Sequence, residues 1–345
     1  MDLLLRGVAI VLASLILILF LLSMARTTLL NRRSRDPLLT LVTRFVHGIV
    51  KLLARNRRSN EGVASVTVWY LPLFMLTIIL TWFLVVLVAF AILYWESGAE
   101  QTLGAALVSS GSALTTLGFD TPATIQGEII AIAEGIFGLM IIIFLFSFVP
   151  GYQSTMLARD VRTDWLYTRV GSAPTAVNIL LWLHQNTTED TRADFWTAWE
   201  DWFRQIKATH VLAPEVIYTP SGFANESWVI CSQALLDAAA LYIATTDDRA
   251  TAAAHLCMQA GGTAMEEVSV TVGFVPERLP SPTAGPTEAQ FAAGVEQLKA
   301  AGNPVMRNSV EAWAQFSALR ATYAGPLRYI AEQTLTRSYP DFGDF

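Results

Sequence analysis

The residues best placed to do chemistry lie between Ala105 and Pro122, in the run Ala-Ala-Leu-Val-Ser-Ser-Gly-Ser-Ala-Leu-Thr-Thr-Leu-Gly-Phe-Asp-Thr-Pro. The run opens as about three helical turns and passes through Thr115, Thr116 and Gly118 to Phe119 and Asp120. What it offers is backbone oxygen. A short helix carries partial negative charge at its carbonyl end and favours a cation there. An extended return after it would place the carbonyls of Thr116, Leu117, Gly118 and Phe119 where they replace a cation's hydration shell, and Gly118 gives backbone freedom that side chains restrict. Asp120 would then stand at the outer mouth. Glu134 falls inside the next apolar run, where an acid faces a bundle interior or a watery cavity rather than lipid. A hydroxyl of the short helix (Ser109, Ser110, Ser112 or Thr115) is its expected partner, bracing the loop. A cavity-facing cation site and a place at headgroup level are the other readings.

Lipid tolerates such a segment only where protein or water surrounds it, and the composition supplies those surroundings. The chain has 345 residues, 53% of them hydrophobic and 15% charged, against roughly 25% charged in ordinary soluble domains. That excludes a wholly soluble protein and a long disordered one. Between Glu61 and Ala158 there is neither lysine nor arginine. Three apolar runs reach the ~20 residues that cross a bilayer: Gly7–Met24, about Val66–Trp95, and about Ile129–Val149. Thr102–Phe119 is shorter and rich in Gly, Ser and Thr, which suits a re-entrant segment. Ser23-Met24-Ala25 resembles a cleavage site, but a strongly basic stretch follows, so an uncleaved anchor is expected.

Residues 1–60 carry net charge +8, against −6 for the whole chain. Dense positive charge stays on the cytoplasmic side. The expected topology therefore puts the N-terminus outside, Arg26–Arg58 inside, Glu96–Glu128 outside, and Arg159, Arg162 and Arg169 inside. Such asymmetry points to sidedness in the cell membrane rather than to nucleic acid. Within the basic segment Leu38, Val42, Phe45, Ile49 and Leu52 recur at helical spacing, opposite Arg44, Lys51 and Arg55. Residues 38–56 thus read as an amphipathic helix on the anionic inner leaflet, or else as a helix packed on the protein's own core. The acids Glu96, Glu100, Asp120 and Glu128, with no nearby base, would concentrate cations at an entrance.

Thr115-Thr116-Leu117-Gly118-Phe119-Asp120, followed by Glu134-Gly135-Ile-Phe-Gly138, resembles the filter and inner span of the two-span pore-loop potassium-channel superfamily. The resemblance covers about Val66–Met156. It implies an all-α membrane protein with the tetrameric pore-loop channel fold (span, pore helix and filter, span), here with an extra N-terminal span. It implies Thr116, Leu117, Gly118 and Phe119 as selectivity filter, Asp120 at the outer mouth, and Gly138 or Gly135 as gating hinge; Glu134, Ser112 and Thr115 are read from the residues themselves as pore-helix support. The permeating ion would be K+, with no cofactor and no resident metal. Because filter rings in such channels come from four loops, a homotetramer follows. One departure matters: the filter's usual second glycine is missing after Phe119, so a shortened filter passing Na+ and K+ alike is the alternative.

The expected domains are 1–25 (N-terminal span), 26–62 (basic segment), 63–158 (pore domain) and 159–345 (cytoplasmic helical domain). The last should hold helices at Thr175–Gln185, Arg192–His210, Glu226–Ala244, Arg249–Glu267, Thr287–Ala301 and Val305–Thr334, the last broken near Gly325-Pro326, with a loop at Pro276–Pro286. Nothing there shows a dinucleotide fingerprint, P-loop, zinc spacing or EF-hand. His255-x-Cys257 lacks two further ligands, and the Trp196/Trp199/Trp202 stripe reads as core or interface. Cys231 and Cys257 imply no disulfide framework. No triad or carboxylate pair nominates an enzyme, and no span carries the spaced arginines of a voltage sensor. A membrane-anchored sensor or interaction protein with a non-conducting pore-like fold is the rival from another class.

Overall fold

The computed structural model describes residues 2–28, 36–57, 59–171, 174–223, 225–275, 285–305 and 309–336. Arg32, Arg33, Arg35 and Arg58 of the basic segment, and most of the expected 276–286 loop, lie outside these. Among the described residues every regular element is helical, and the chain divides into two compact units. The first comprises 1–49 and 71–153, the second 50–70 and 154–345.

The first unit holds α1 (Asp2–Thr28), most of α2 (Pro37–Ala54), nearly all of α4 (Tyr70–Glu96), α5 (Leu103–Leu114) and the first part of α6 (Ile125–Val170). At 1.5 Å per residue, α1 and α4 each run for about 40 Å, enough to cross a hydrocarbon core of about 30 Å. Their interior is aromatic. Trp82 of α4 is fully buried, its ring edge-on to Phe20 of α1 at 6.1 Å and to Phe144 of α6 at 4.6 Å. Phe137 closes the group, 5.9 Å from Phe20 and 5.3 Å from Phe90. Outward faces are apolar too. On α6, Ile125, Ile129, Ile132, Ile136, Leu139, Ile143 and Phe146 alternate spacings of four and three, and all are exposed on the single chain, a heptad seam of the kind that packs on another helix.

Helix α2 carries two apolar stripes rather than one. Val42, Val46, Val50 and Ala54 recur every fourth residue and are buried; Leu41, Phe45 and Leu52 are exposed, as are Arg44, Lys51 and Arg55. The buried stripe answers to the reading of a helix packed on the protein's own core.

The second unit contains the end of α2, α3 (Asn60–Thr67), the rest of α6, and a bundle: α7 (Ala176–Asn186), α8 (Glu189–Leu212), a 3-10 turn (Pro214–Tyr218), α9 (Trp228–Thr245), α10 (Ala250–Thr271), α11 (Glu288–Ala300), α12 (Ser309–Ala321) and α13 (Ala324–Gln333). The apolar run expected as one span from Val66 breaks at Val68-Trp69, between α3 and α4. Ser59 caps α3, its side chain accepting from the Gly62 amide. The last expected helix divides at Thr322-Tyr323, and Pro326 sits in the first turn of α13, where a missing amide matters little. The alanine-rich α9 is buried almost throughout and packs against α7, α10 and α12. Its single acid, Asp237, accepts from Arg320 Nε at 3.1 Å and Tyr323 Oη at 2.7 Å. Trp165 of α6 lies against Trp182, Phe195 and Trp199, and the guanidinium of Arg169 sits over its ring at 4.0 Å. The tryptophan stripe of α8 is therefore core.

Candidate functional site

Helix α5 starts where Thr102 accepts the Ala105 amide at 3.2 Å and ends twelve residues on. That is roughly 18 Å, too short to cross a bilayer. Its buried face is built from hydroxyls: Ser109, Ser110 and Ser112 are all fully buried. Each holds a different part of the site. The Ser110 hydroxyl lies 2.5 Å from Glu134 Oε1 of α6 and 3.0 Å from the Leu87 carbonyl of α4. One serine thereby ties α5 to both long helices, and the fully buried Glu134 has its partner on the short helix, at Ser110. Tyr94 of α4 stands beside the same carboxyl.

Ser112 holds the far end of the loop. It accepts the Asp120 amide at 2.9 Å and donates to the Asp120 carbonyl at 2.8 Å. Ser109 Oγ lies between two acids, 2.7 Å from Asp120 Oδ2 and 2.9 Å from Glu100 Oε1, with one proton to give to either. Glu100, read from sequence only as one of several outer acids, thus shares a partner with Asp120. Its signal was the acid count, but its pairing depends on the turn after α4, which spacing does not reveal. Thr115 donates to the Gly111 carbonyl of its own helix at 2.6 Å and so contributes no bond to Glu134.

The loop backbone alternates in handedness. Thr115 has φ −80, Thr116 φ +57 and Gly118 φ +66, while Leu117 between them keeps the ordinary negative sign. Such alternation gathers amides on one side of the chain and carbonyls on the other. The amides turn back onto α5: Thr116 N donates to the Ala113 carbonyl at 3.0 Å and Gly118 N to the Ser112 carbonyl at 3.3 Å. The side chains of Leu117 and Phe119 are exposed, at 71% and 66%. Among the described residues the carbonyls of Thr116–Phe119 accept no hydrogen bond, and oxygens so left can attract a metal cation of low charge density.

Gly138 has a clear local reason. A Cβ there would lie 2.1 Å from the Leu114 carbonyl oxygen, whereas one at Gly135 would find its nearest atom at 3.8 Å. Helix α6 runs on through both glycines. Gly138 lets it pass directly over the C-terminal end of α5.

Ser112→Ala would strip both bonds from the Asp120 backbone, each unmade bond costing about 1–3 kcal/mol. Amide exchange over residues 115–121 should then accelerate by about ten-fold or more, each ten-fold corresponding to ~1.4 kcal/mol. Exchange that stays at the wild-type rate would show that Ser112 does not hold the loop.

Among the described residues no group of three or more His, Cys, Asp or Glu side chains could hold a resident metal. Several apolar helices of membrane-crossing length, with a short apolar helix between two of them, are the features of a multi-pass, all-helical membrane protein. Comparison with protein-family models, curated proteins and solved structures finds no match to this chain.

Proposed function

We propose that four copies of this chain surround an axis and pass potassium down its gradient, the carbonyls of Thr116–Phe119 replacing the ion's hydration water. The supporting observation is the left-handed backbone at alternate positions 116 and 118, with the Thr116 and Gly118 amides bonded back to α5 and the 116–119 carbonyls accepting no bond among the described residues. Loop backbone at membrane depth must be covered by protein or water, and a ring of copies with a wet axis supplies both. Asp120 and Glu100 then stand at the entrance. The basic segment and residues 159–345 face the cytoplasm, and the exposed apolar stripe of α2 enters the inner leaflet while Arg44, Lys51 and Arg55 meet anionic headgroups. The reading requires no resident cofactor, nucleic acid or catalytic step.

One observation favours a second reading of selectivity. The Asp120 carbonyl is taken by Ser112, so the free row ends at Phe119 and offers few dehydrated sites. Sodium would then pass as well, and reversal potentials under bi-ionic conditions decide between the two.

The test is purified protein in vesicles. The expected particle has four-fold symmetry with density along its axis, and it carries potassium flux that rises when anionic lipid is added to neutral vesicles. A particle whose loops lie apart, or vesicles that stay tight to potassium with and without residues 159–345, would overturn the reading in favour of a non-conducting sensor.

A further inference from the structure

A cavity of about 390 Å³ lies within the second unit, walled by α3, by the segment from Ile217 to Ile230, and by Thr334–Thr336. Its volume is in the range of small-molecule sites. Tyr218, Phe223 and Trp228 give it aromatic surface, and among the described residues its only charged lining side chains are two acids, Glu61 and Glu226. Glu226 Oε2 is buried, and the only side chain within hydrogen-bonding reach of its carboxyl among the described residues is another acid, Asp164, which can donate only when protonated. A buried oxygen left unpaired in a native fold calls for a donor from elsewhere.

Arg159 of α6, itself buried, makes its bonds elsewhere: Nε to Asp160 Oδ1 at 2.7 Å, Nη1 to the Val216 carbonyl at 3.3 Å, and Nη2 to the Pro220 carbonyl at 3.2 Å. Asp160 Oδ2 in turn accepts the Gly222 amide at 2.9 Å. The charged side chains among the described lining residues are both acids and so favour a cation over an anion, and a neutral guest that donates nothing would leave the Glu226 carboxylate without a donor. We infer that this cavity binds a small organic cation with an apolar body, its ammonium on Glu226 and its body against the aromatic wall, and that occupancy bears on α4 and α6.

The link to those helices is on the cavity's own wall. The ring of Tyr218 lies 4.8 Å from that of Tyr70, the first residue of α4, and Arg159 ties the same segment to α6. The binding half of the inference stands apart from the channel reading; the coupling half rests on it.

Glu226 is faced by Asp160, Asp164 and Tyr167 from α6, by Cys231 from α9, and across the cavity by Glu61 of α3. Burial, then the charge of Asp164 and the hydrogen bond shared with it, and last the Asp160 carboxylate, push its carboxyl up to about 7. A cation prefers the ionised form, so affinity rises with pH. Between pH 6 and pH 8 the ionised fraction of such a group grows about ten-fold.

The probe is tryptamine, titrated by calorimetry into the full chain in detergent, with the neutral alcohol tryptophol as its match in shape. Tryptamine should bind one site per chain, about ten-fold tighter at pH 8 than at pH 6. Tryptophol should bind at least about ten-fold more weakly, a difference of ~1.4 kcal/mol. Glu226→Gln, checked for an unchanged melting temperature, should lose both the affinity and its pH dependence; Glu61→Gln, a milder change across the cavity, should weaken binding while keeping the pH dependence. Equal binding of tryptophol, or an affinity indifferent to both variants, overturns the site. In vesicles, ligand-free potassium flux reports on the channel reading separately. Where that flux exists, saturating tryptamine should change it in the wild type and not in Glu226→Gln, and an unchanged flux overturns the coupling.

Discussion

Gly118→Ala should abolish selective potassium flux while leaving the protein folded. A Cβ at this position meets no atom within 4 Å, so the substitution creates no clash; it forces a side-chained residue into a backbone at φ +66. That strain is roughly 1–2 kcal/mol per residue, hence about 4–8 kcal/mol around a ring of four. The loop can relieve it by returning residue 118 to a right-handed conformation, which turns a carbonyl out of the row. Gly98 provides the control, since it has φ +80 and equally open surroundings but lies outside the loop. Gly98→Ala should suffer similar strain and keep its permeability ratios. Unchanged ratios in Gly118→Ala, measured as reversal potentials, would remove Thr116–Phe119 from the ion's path.

The second large effect is expected at Gly138. Its added methyl would lie 2.1 Å from the Leu114 carbonyl oxygen and 3.1 Å from the carbonyl carbon. Backbone cannot rotate away as a side chain can, so α6 must lift off the end of α5. Overpacking of this kind costs about 1–3 kcal/mol, and here it loosens the two helices that Ser110 and Glu134 join. Gly138→Ala should melt at lower temperature and fail to assemble, whereas Gly135→Ala, with its nearest contact at 3.8 Å, should match the wild type in both. The hinge implied by the channel resemblance makes the opposite forecast: both variants would assemble normally and differ only in opening. Melting curves and particle size separate the two roles of this glycine.

What could be read from residues alone followed the physics of each signal. Long apolar runs without charge marked α1, α4 and the first part of α6, because hydrocarbon admits little else. The hydroxyl-rich character of α5 was equally visible, and Ser110 was among the named partners for Glu134. Which serine meets which acid was not, since that depends on helix rotation finer than one residue's spacing. The extent of α6 was also hidden. Charges return after Ala158 and suggested a new domain, yet nothing there stops a helix until Gly171, whose φ of +98 ends it. The break at Val68-Trp69 had a signal that the apolar run masked: Pro72 has no amide to give the Val68 carbonyl, so one helix cannot continue from α3 into α4 unbroken. The two stripes of α2 merged into one because burial, rather than hydrophobicity, distinguishes Val46 from Phe45.

Helix α9 has a consequence for how this protein is made. By length and composition Trp228–Thr245 would pass for another membrane-crossing segment, and an insertion apparatus reads the chain as it emerges from the ribosome. Asp237 lies at its middle, where an acid raises the cost of partitioning by about 2.5–3.5 kcal/mol. The groups that later satisfy it, Arg320 and Tyr323, are synthesised more than eighty residues afterwards. Through that interval the lone carboxylate marks the segment against insertion into the bilayer. Asp237→Leu would erase the mark, and the nascent chain would then be sorted with its topology inverted from that point on.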